Sequence, residues 1–284
     1  MSALDPGLRE AVLRRLGFWE PPPATLDGLS RLYLEWCRGV PFDNVRKLTA
    51  LFSRAEGELP GMDPSDFFRA WLDHGVGATC WPASHALATL LEDLGFQVSR
   101  GTASMLDQGA PNHGAPLVTV EGQTLWVDPA VLSERPVPLV PGRYGDALPF
   151  EVEEDARGVR LWFVPGVRAE LFPCRLLERA AGFAAYAQGY EASRSSGPFN
   201  DRLYFRRNLP DRVVVLRGRV KTILDDRGVS AWELDEAELR KTLGRFGVSQ
   251  ELLEAFVASG ALAATLAAEP QPLREFPERP PSER

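Results

Sequence analysis

The sequence predicts an α+β fold with a helical first third, a β-rich middle and a smaller mixed α/β end. Three observations predict it. Apolar residues recur at three- and four-residue spacing up to Gly95, short apolar runs with a strand-like period take over from Phe96, and helix-capping residues return at Asp235 and Ser249. With 284 residues, 44% of them hydrophobic and 25% charged, the chain has an ordinary globular composition and enough bulk for a substantial core.

Asp5-Pro6 is an N-cap and first-turn signature, and Val12 and Leu16 carry a first helix that Pro21, Pro22 and Pro23 close. From Thr25, the residues Leu26, Leu29, Leu32, Tyr33, Trp36 and Cys37 form an apolar stripe along a second helix. Asp63-Pro64 repeats the cap signature, and Phe67, Phe68, Trp71 and Leu72 extend a third helix to His74-Gly75. After Gly75-Val76-Gly77-Ala78-Thr79 a fourth helix begins at Cys80 and runs through Ala83, Leu87, Leu90, Leu91 and Leu94 to Gly95.

The period then changes. Residues 96–105, 115–120, 124–127, 150–152 and 159–164 read as strands, with Glu121-Gly122 as a tight turn. A helix over 180–192 and strands at 202–205, 213–216 and 220–224 follow. Asp235 with Glu238 resembles a capping box, and Ser249 opens a last helix through Leu252, Leu253, Phe256 and Val257. The expected division is therefore 1–95, 96–195 and 196–268, with the proline-rich 269–284 as a disordered tail.

Composition narrows the function. A net charge of −7 disfavours a phosphate-tracking surface, so nucleic acid is not an expected partner. Cys37, Cys80 and Cys174 are odd in number and contain no CxxC pair, which points to a reducing compartment. Charges at Asp5, Arg9, Glu10, Arg14, Arg15 and Glu20 interrupt the first twenty residues, so neither a signal peptide nor a membrane span is expected and the cytoplasm is the expected location. His74, His85 and His113 show no metal-ligand spacing, and no metal is expected.

Cys80 has the most suggestive setting of the three cysteines, because free N–H groups and the positive dipole end of a helix N-terminus favour a thiolate. A thiol nucleophile needs a base. His85 lies five positions further on, about 140° around the helix axis, and so diverges from Cys80. His74 closes a helix, where a histidine is favoured for structural reasons. His113 begins a strand, and if Glu121-Gly122 is a two-residue turn, Val120 faces Gln123 and Ala115 faces Asp128. His113 and Asp128 then share a face as diagonal neighbours roughly 7 Å apart, within reach of polar side chains. An Asp that orients a His, which deprotonates a Cys, is the triad logic of acyl transfer and hydrolysis.

The segment Val40-Pro41-Phe42-Asp43-Asn44, then Gly77-Ala78-Thr79-Cys80-Trp81 opening a helix that ends Leu94-Gly95-Phe96, then His113 and Trp126-Val127-Asp128, resembles the arylamine N-acetyltransferases in order and spacing. That family carries Ile-Pro-Phe-Glu-Asn, Arg-Gly-Gly-aromatic-Cys-aromatic-Glu, a strand histidine and Val-Asp-Val-Gly-Phe-Gly. The resemblance implies a cysteine-proteinase-like architecture: helical bundle, β-barrel-like centre and α/β lid. It also implies a catalytic triad of Cys80, His113 and Asp128, with Phe42, Thr79 and Trp81 at the substrate pocket.

Departures accompany the match. Val76 replaces the family's Arg, Pro82 and Ser84 replace its Glu and Asn, and Pro129-Ala130-Val131-Leu132 replaces the Val-Gly-Phe-Gly along which its coenzyme A approaches. The implied activity is transfer of an acyl group from acetyl-CoA or another acyl thioester, one on an acyl-carrier domain included, to a small amine, with no bound cofactor. A transglutaminase-like or thiol hydrolase and a noncatalytic binding relative are the alternatives that the residues leave open.

Overall fold

The computed structural model describes residues 3–145, 150–163 and 172–270. Five helices lead the chain: α1 (Pro6–Arg15), α2 (Leu26–Gly39), α3 (Val45–Phe52), α4 (Pro64–His74) and α5 (Cys80–Asp93), with the two-residue strand β1 (Phe42–Asp43) before α3. The middle is β2 (Gln97–Met105), β3 (His113–Val120), β4 (Gln123–Trp126), β5 (Val137–Pro138), β6 (Gly142–Tyr144), β7 (Phe150–Asp155), β8 (Gly158–Phe163), β9 (Phe172–Glu178) and α6 (Phe183–Ala192). The end is β10 (Tyr204–Leu209), β11 (Arg212–Arg217), β12 (Val220–Asp225), β13 (Gly228–Glu233), α7 (Glu236–Arg245), α8 (Gln250–Ala258) and α9 (Ala261–Ala267). The expected tail lies outside the described residues from 271 onward, as does residue 164 of an expected strand.

The caps explain the boundaries. Asp5, Thr25, Asp63 and Ser249 each accept a first-turn N–H, Asp235 and Glu238 form a reciprocal capping box, and Gly75 ends α4 at a left-handed φ of 67°. Two antiparallel sheets result. The larger, barrel-like sheet has the strand order β5-β4-β3-β2-β9-β8-β7-β6, and the smaller runs β1-β10-β11-β12-β13. Strand β1 belongs to the expected helical segment yet pairs with β10, Phe42 opposite Arg206, so the first segment supplies an edge strand to the last.

Helix α5 is the centre of the molecule. Cys80 through Leu91 are all buried, and α5 packs on α4, α6, β2 and β3. A helix buried on every side must satisfy each polar group it carries. Ser84 Oγ donates to the Gly114 carbonyl, and His85 Nδ1 accepts from Arg100 Nε at 3.0 Å. Arg100 closes the network on Glu92. Trp81 lies against Gly114, where an added Cβ would sit 2.8 Å from the indole and from the Tyr186 ring, so only glycine admits α5 this close to β3.

Burial, and after it the Arg100 cation, pushes His85 down to about 4. A histidine whose folded value is depressed keeps its full contribution above the ordinary value near 6.5 and loses it as the pH falls toward about 4, because the unfolded chain takes up the proton first. His85→Gln should therefore flatten the acid side of the stability profile. Denaturant midpoints measured from pH 7 to pH 4 should fall less steeply in the variant than in wild type, and parallel curves would refute the assignment.

Candidate active site

Cys80 is the first residue of α5 and is 9% exposed. Its N-cap, Thr79, makes no side-chain capping bond, so the helix start keeps free N–H groups beside the sulfur. The Cys80 sulfur lies 3.9 Å from the Asn112 carbonyl oxygen.

The loop that delivers Cys80 is tied to the Val-Pro-Phe-Asp-Asn segment. Asp43 Oδ2 accepts the Gly77 N–H at 2.6 Å, Oδ1 accepts the Val45 N–H at 3.0 Å, and the Asp43 N–H donates to the Ala78 carbonyl. Phe42 and Ala78 also form an isolated parallel bridge. The approach is so close that a Cβ on Gly77 would lie 1.9 Å from the Pro41 oxygen. Burial pushes the Asp43 carboxyl up to about 7 even though it accepts these two backbone hydrogen bonds.

His113 and Asp128 arrive on the β3–β4 hairpin. Val120 pairs with Gln123 and Leu117 with Trp126, and the Val127 N–H donates to the Pro116 carbonyl, which carries the expected register on toward Ala115 and Asp128. His113 Nε2 meets Asp128 Oδ2 at 2.7 Å, with His113 2% exposed and Asp128 fully buried. The other ring nitrogen, Nδ1, remains on the side of Cys80, whose side chain lies close enough to favour the charged imidazole. Burial opposes the imidazolium, but the Asp128 charge and hydrogen bond, with Cys80 beside them, outweigh it and raise His113 to about 10. Burial likewise opposes the Asp128 carboxylate, yet His113 and two backbone N–H groups hold it below the usual carboxylate range.

Asp128 is held on every side. Oδ1 accepts from the Ala130 and Val131 N–H groups, Oδ2 from Trp126 Nε1 as well as from His113, and the Asp128 carbonyl accepts from Tyr33 Oη at 2.6 Å. Pro129-Ala130-Val131-Leu132 thus forms a tight turn under the carboxylate, with Leu132 at a left-handed φ of 52°. Trp126, buried in the sheet core, also donates its indole N–H to the Asp128 carboxylate. Two residues before Asp128 on the same strand face, its indole N–H was placed to be read from the strand period alone.

The structure brings together Cys80, His113 and Asp128. Thr79 lines a small cleft beside them with Asp43, Lys47 and Tyr190. Phe42 and Trp81 are 5% and 3% exposed: Phe42 packs edge-on against Phe199 and Tyr204, and Trp81 against Tyr186. His85 stays in its Arg100 network, and His74 Nδ1 pairs with Ser249 Oγ on the far side of α4. Among the described residues no cluster of three His, Cys, Asp or Glu side chains could hold a metal, and no helix is long and apolar enough to cross a membrane.

A helix-borne cysteine facing a strand histidine and aspartate defines a thiol acyl-transfer constellation. The fold that carries it is the arylamine N-acetyltransferase fold. The chain superimposes on the arylamine N-acetyltransferase of Mycobacterium smegmatis with a TM-score of 0.79 at 21% identity, over 93% of this chain and 100% of that one. The Mycobacterium marinum enzyme in complex with CoA gives 0.74 at 21% identity over 90% and 97%. A Bacillus cereus arylamine N-acetyltransferase with a Cys-His-Glu catalytic triad gives 0.73 at 14% identity over 85% and 98%. No protein-family model matches the sequence, and no curated protein matches it.

Of the three cysteines, Cys80 is the one placed beside the His113–Asp128 pair. Cys37 and Cys174 are fully buried, and burial pushes Cys37 up to about 12. Iodoacetamide at pH 7 should label Cys80 alone in the folded protein, and Asp128→Asn, which removes the charge that keeps the proton on His113, should slow that labelling about tenfold or more. Peptide mapping of the alkylated chain reads both outcomes; equal rates in the two proteins would contradict the arrangement.

Proposed function

We propose that this chain is a cysteine acyltransferase that moves an acyl group from a coenzyme A-type thioester to a small amine through an acyl-Cys80 intermediate. The observation that carries the reading is that Cys80 lies beside His113, whose Nε2 meets the buried Asp128 carboxylate at 2.7 Å. The thiolate attacks the thioester carbonyl, and the departing thiolate takes the proton held on His113. The amine then attacks the acyl-Cys80 carbonyl, loses its proton to His113, and restores the Cys80 thiolate as the amide leaves. The Cys80 N–H and its neighbours at the α5 start are the donors suited to the oxyanion of both steps.

Asp128 keeps His113 oriented, with the proton on the side facing the sulfur between turnovers. Thr79 forms the cleft wall next to Cys80, and Phe42 and Trp81, both buried on either side of it in sequence, are the other residues assigned to the substrate pocket. The CoA complex of the Mycobacterium marinum neighbour makes acyl-CoA the donor to test first, with a carrier-bound thioester as the next candidate. Free cysteines at Cys37, Cys80 and Cys174 suit a reducing compartment, and we place the protein in the cytoplasm.

Intact-mass spectrometry tests the reading. Brief exposure to acetyl-CoA and longer acyl-CoA donors should add one acyl mass to wild type and none to Cys80→Ala, and an amine should discharge it as the amide. A hydrolase would discharge to water at the same rate with or without amine. A protein whose Cys80 alkylates rapidly but accepts no donor would contradict acyl-CoA transfer.

A further inference from the structure

The five-stranded sheet ends in an open edge. β13 is the last strand in the order β1-β10-β11-β12-β13, and it is exposed along its whole length. The other edge strands among the described residues, β1, β5 and β6, are only two or three residues long. An open strand edge presents unpaired N–H and C=O groups, which proteins protect with prolines, lysines or bulges placed along it. β13 has none of these: Gly228-Val229-Ser230-Ala231-Trp232-Glu233 pairs with β12 without a break in register, and its one charge is the last residue. Val229 and Trp232 are 41% and 43% exposed.

The hairpin decides which backbone groups point outward. Its Asp226-Arg227 turn closes on Asp225 opposite Gly228, a hydrogen-bonded position, and beyond the strand the Leu234 N–H donates to the Arg219 carbonyl. Gly228, Ser230 and Trp232 therefore face β12, and the alternation leaves the N–H and C=O of Val229, Ala231 and Glu233 facing outward. Set antiparallel against a copy of itself with Ser230 opposite Ser230, the strand matches its own sequence. Val229 meets Ala231, Arg227 of the turn meets Glu233, and Trp232 meets Gly228, above which there is open space. Centring the pair on Ala231 would instead oppose Val229 and Glu233. Arg227 holds Asp225 at 2.8 Å and Glu233 is held by Arg219 at 2.9 Å, yet Arg227 is 83% and Glu233 54% exposed. A cross-strand pair would extend these into a row of alternating charge from Arg219 through Glu233 and Arg227 to Asp225.

We propose that two copies of this chain associate through β13, antiparallel and with Ser230 on the two-fold axis, so that their five-stranded sheets join into one. The inference is independent of the acyl-transfer reading. A two-fold pair closes on itself because one patch serves both partners. The pairing also carries the apolar row Val213, Leu224 and Val229, which ends in solvent, on to Ala231 of the second copy. The chain's own C-terminal end is a poor occupant of this edge, since Pro272, Pro277, Pro280 and Pro281 lack the N–H donors of a pairing strand. A pairing this short buries less than a standard interface, so association belongs to the weak class, with a Kd of about tens of micromolar.

Sedimentation velocity of the full chain tests this, with wild type passing from monomer to dimer between about 5 and about 500 µM. Ala231→Pro removes an outward N–H donor and spares the β12 side, so it should weaken association about tenfold or more. Arg227→Glu and Glu233→Arg each set like charges opposite one another and should also weaken it. An equimolar mixture of those two variants should dimerise as wild type does, because both ends of the mixed pair then oppose unlike charges; this arm stands even if Ala231→Pro fails to fold. Cys80 alkylation at the wild-type rate in each variant reports an intact fold. A wild type that stays monomeric throughout the range overturns the proposal, as does a dimer that all three variants leave unchanged. A mixture that stays monomeric overturns the Ser230-centred pairing. Dissociation of the wild-type dimer by excess synthetic peptide of residues 271–284 would assign the edge to the chain's own end and overturn it as well.

Discussion

A carboxylate with no exposure and an imidazole almost as buried face each other at 2.7 Å in the middle of this molecule. Neither group could stay charged there alone, because removal of an isolated ion from water costs several kcal/mol even after relaxation. Each makes the other affordable, and four donors converge on the Asp128 side-chain oxygens, counting His113. The rest of the architecture supplies those donors. The hairpin register sets His113 and Trp126, the turn through Leu132 aims two backbone N–H groups, and Tyr33 from α2 fixes the Asp128 carbonyl from below.

Cys80 is positioned by a second, independent tether. Asp43 stands 34 residues before Gly77 in sequence and grips its N–H, so the Val-Pro-Phe-Asp-Asn segment determines where α5 begins. Asn44 extends the same junction into the last region: its side-chain nitrogen donates to the Phe199 and Arg202 carbonyls, and its Oδ1 accepts the Tyr204 N–H. Helical bundle, barrel-like sheet and α/β end thus meet around one loop. Such an arrangement accounts for a site assembled from segments far apart in the chain, with chemistry on a helix end and a hairpin.

Much of this was legible in the sequence, for identifiable reasons. A cysteine at a helix start after a glycine-containing loop, and a two-residue turn whose register could be counted outward, depend on local rules, and the β3–β4 pairing follows that count. What escaped depends on partners distant in sequence. β9 contains Pro173 and the buried Arg175, whose guanidinium is paired with Asp107 and Asp155; a proline and a charge do not read as a core strand until those partners are known. β13 is exposed along its whole length and carries little apolar pattern. α3 hides behind Arg46 and Lys47, which look like a solvated face in one dimension and are held against a cleft in three. The likeness to the arylamine N-acetyltransferase fold at 14 to 21% identity shows the same asymmetry, with the course of the backbone kept while most side chains differ.

The central claim is that the proton shared among Cys80, His113 and Asp128 resides on His113. Nitrogen NMR of the protein labelled at its three histidines measures this directly, since an imidazolium and each neutral tautomer give distinct ring shifts. The account predicts that His113 is doubly protonated at pH 7.5 and titrates toward about 10, while His85 remains neutral down to about 4. A neutral His113 at pH 7.5, titrating near the ordinary histidine value, would contradict it.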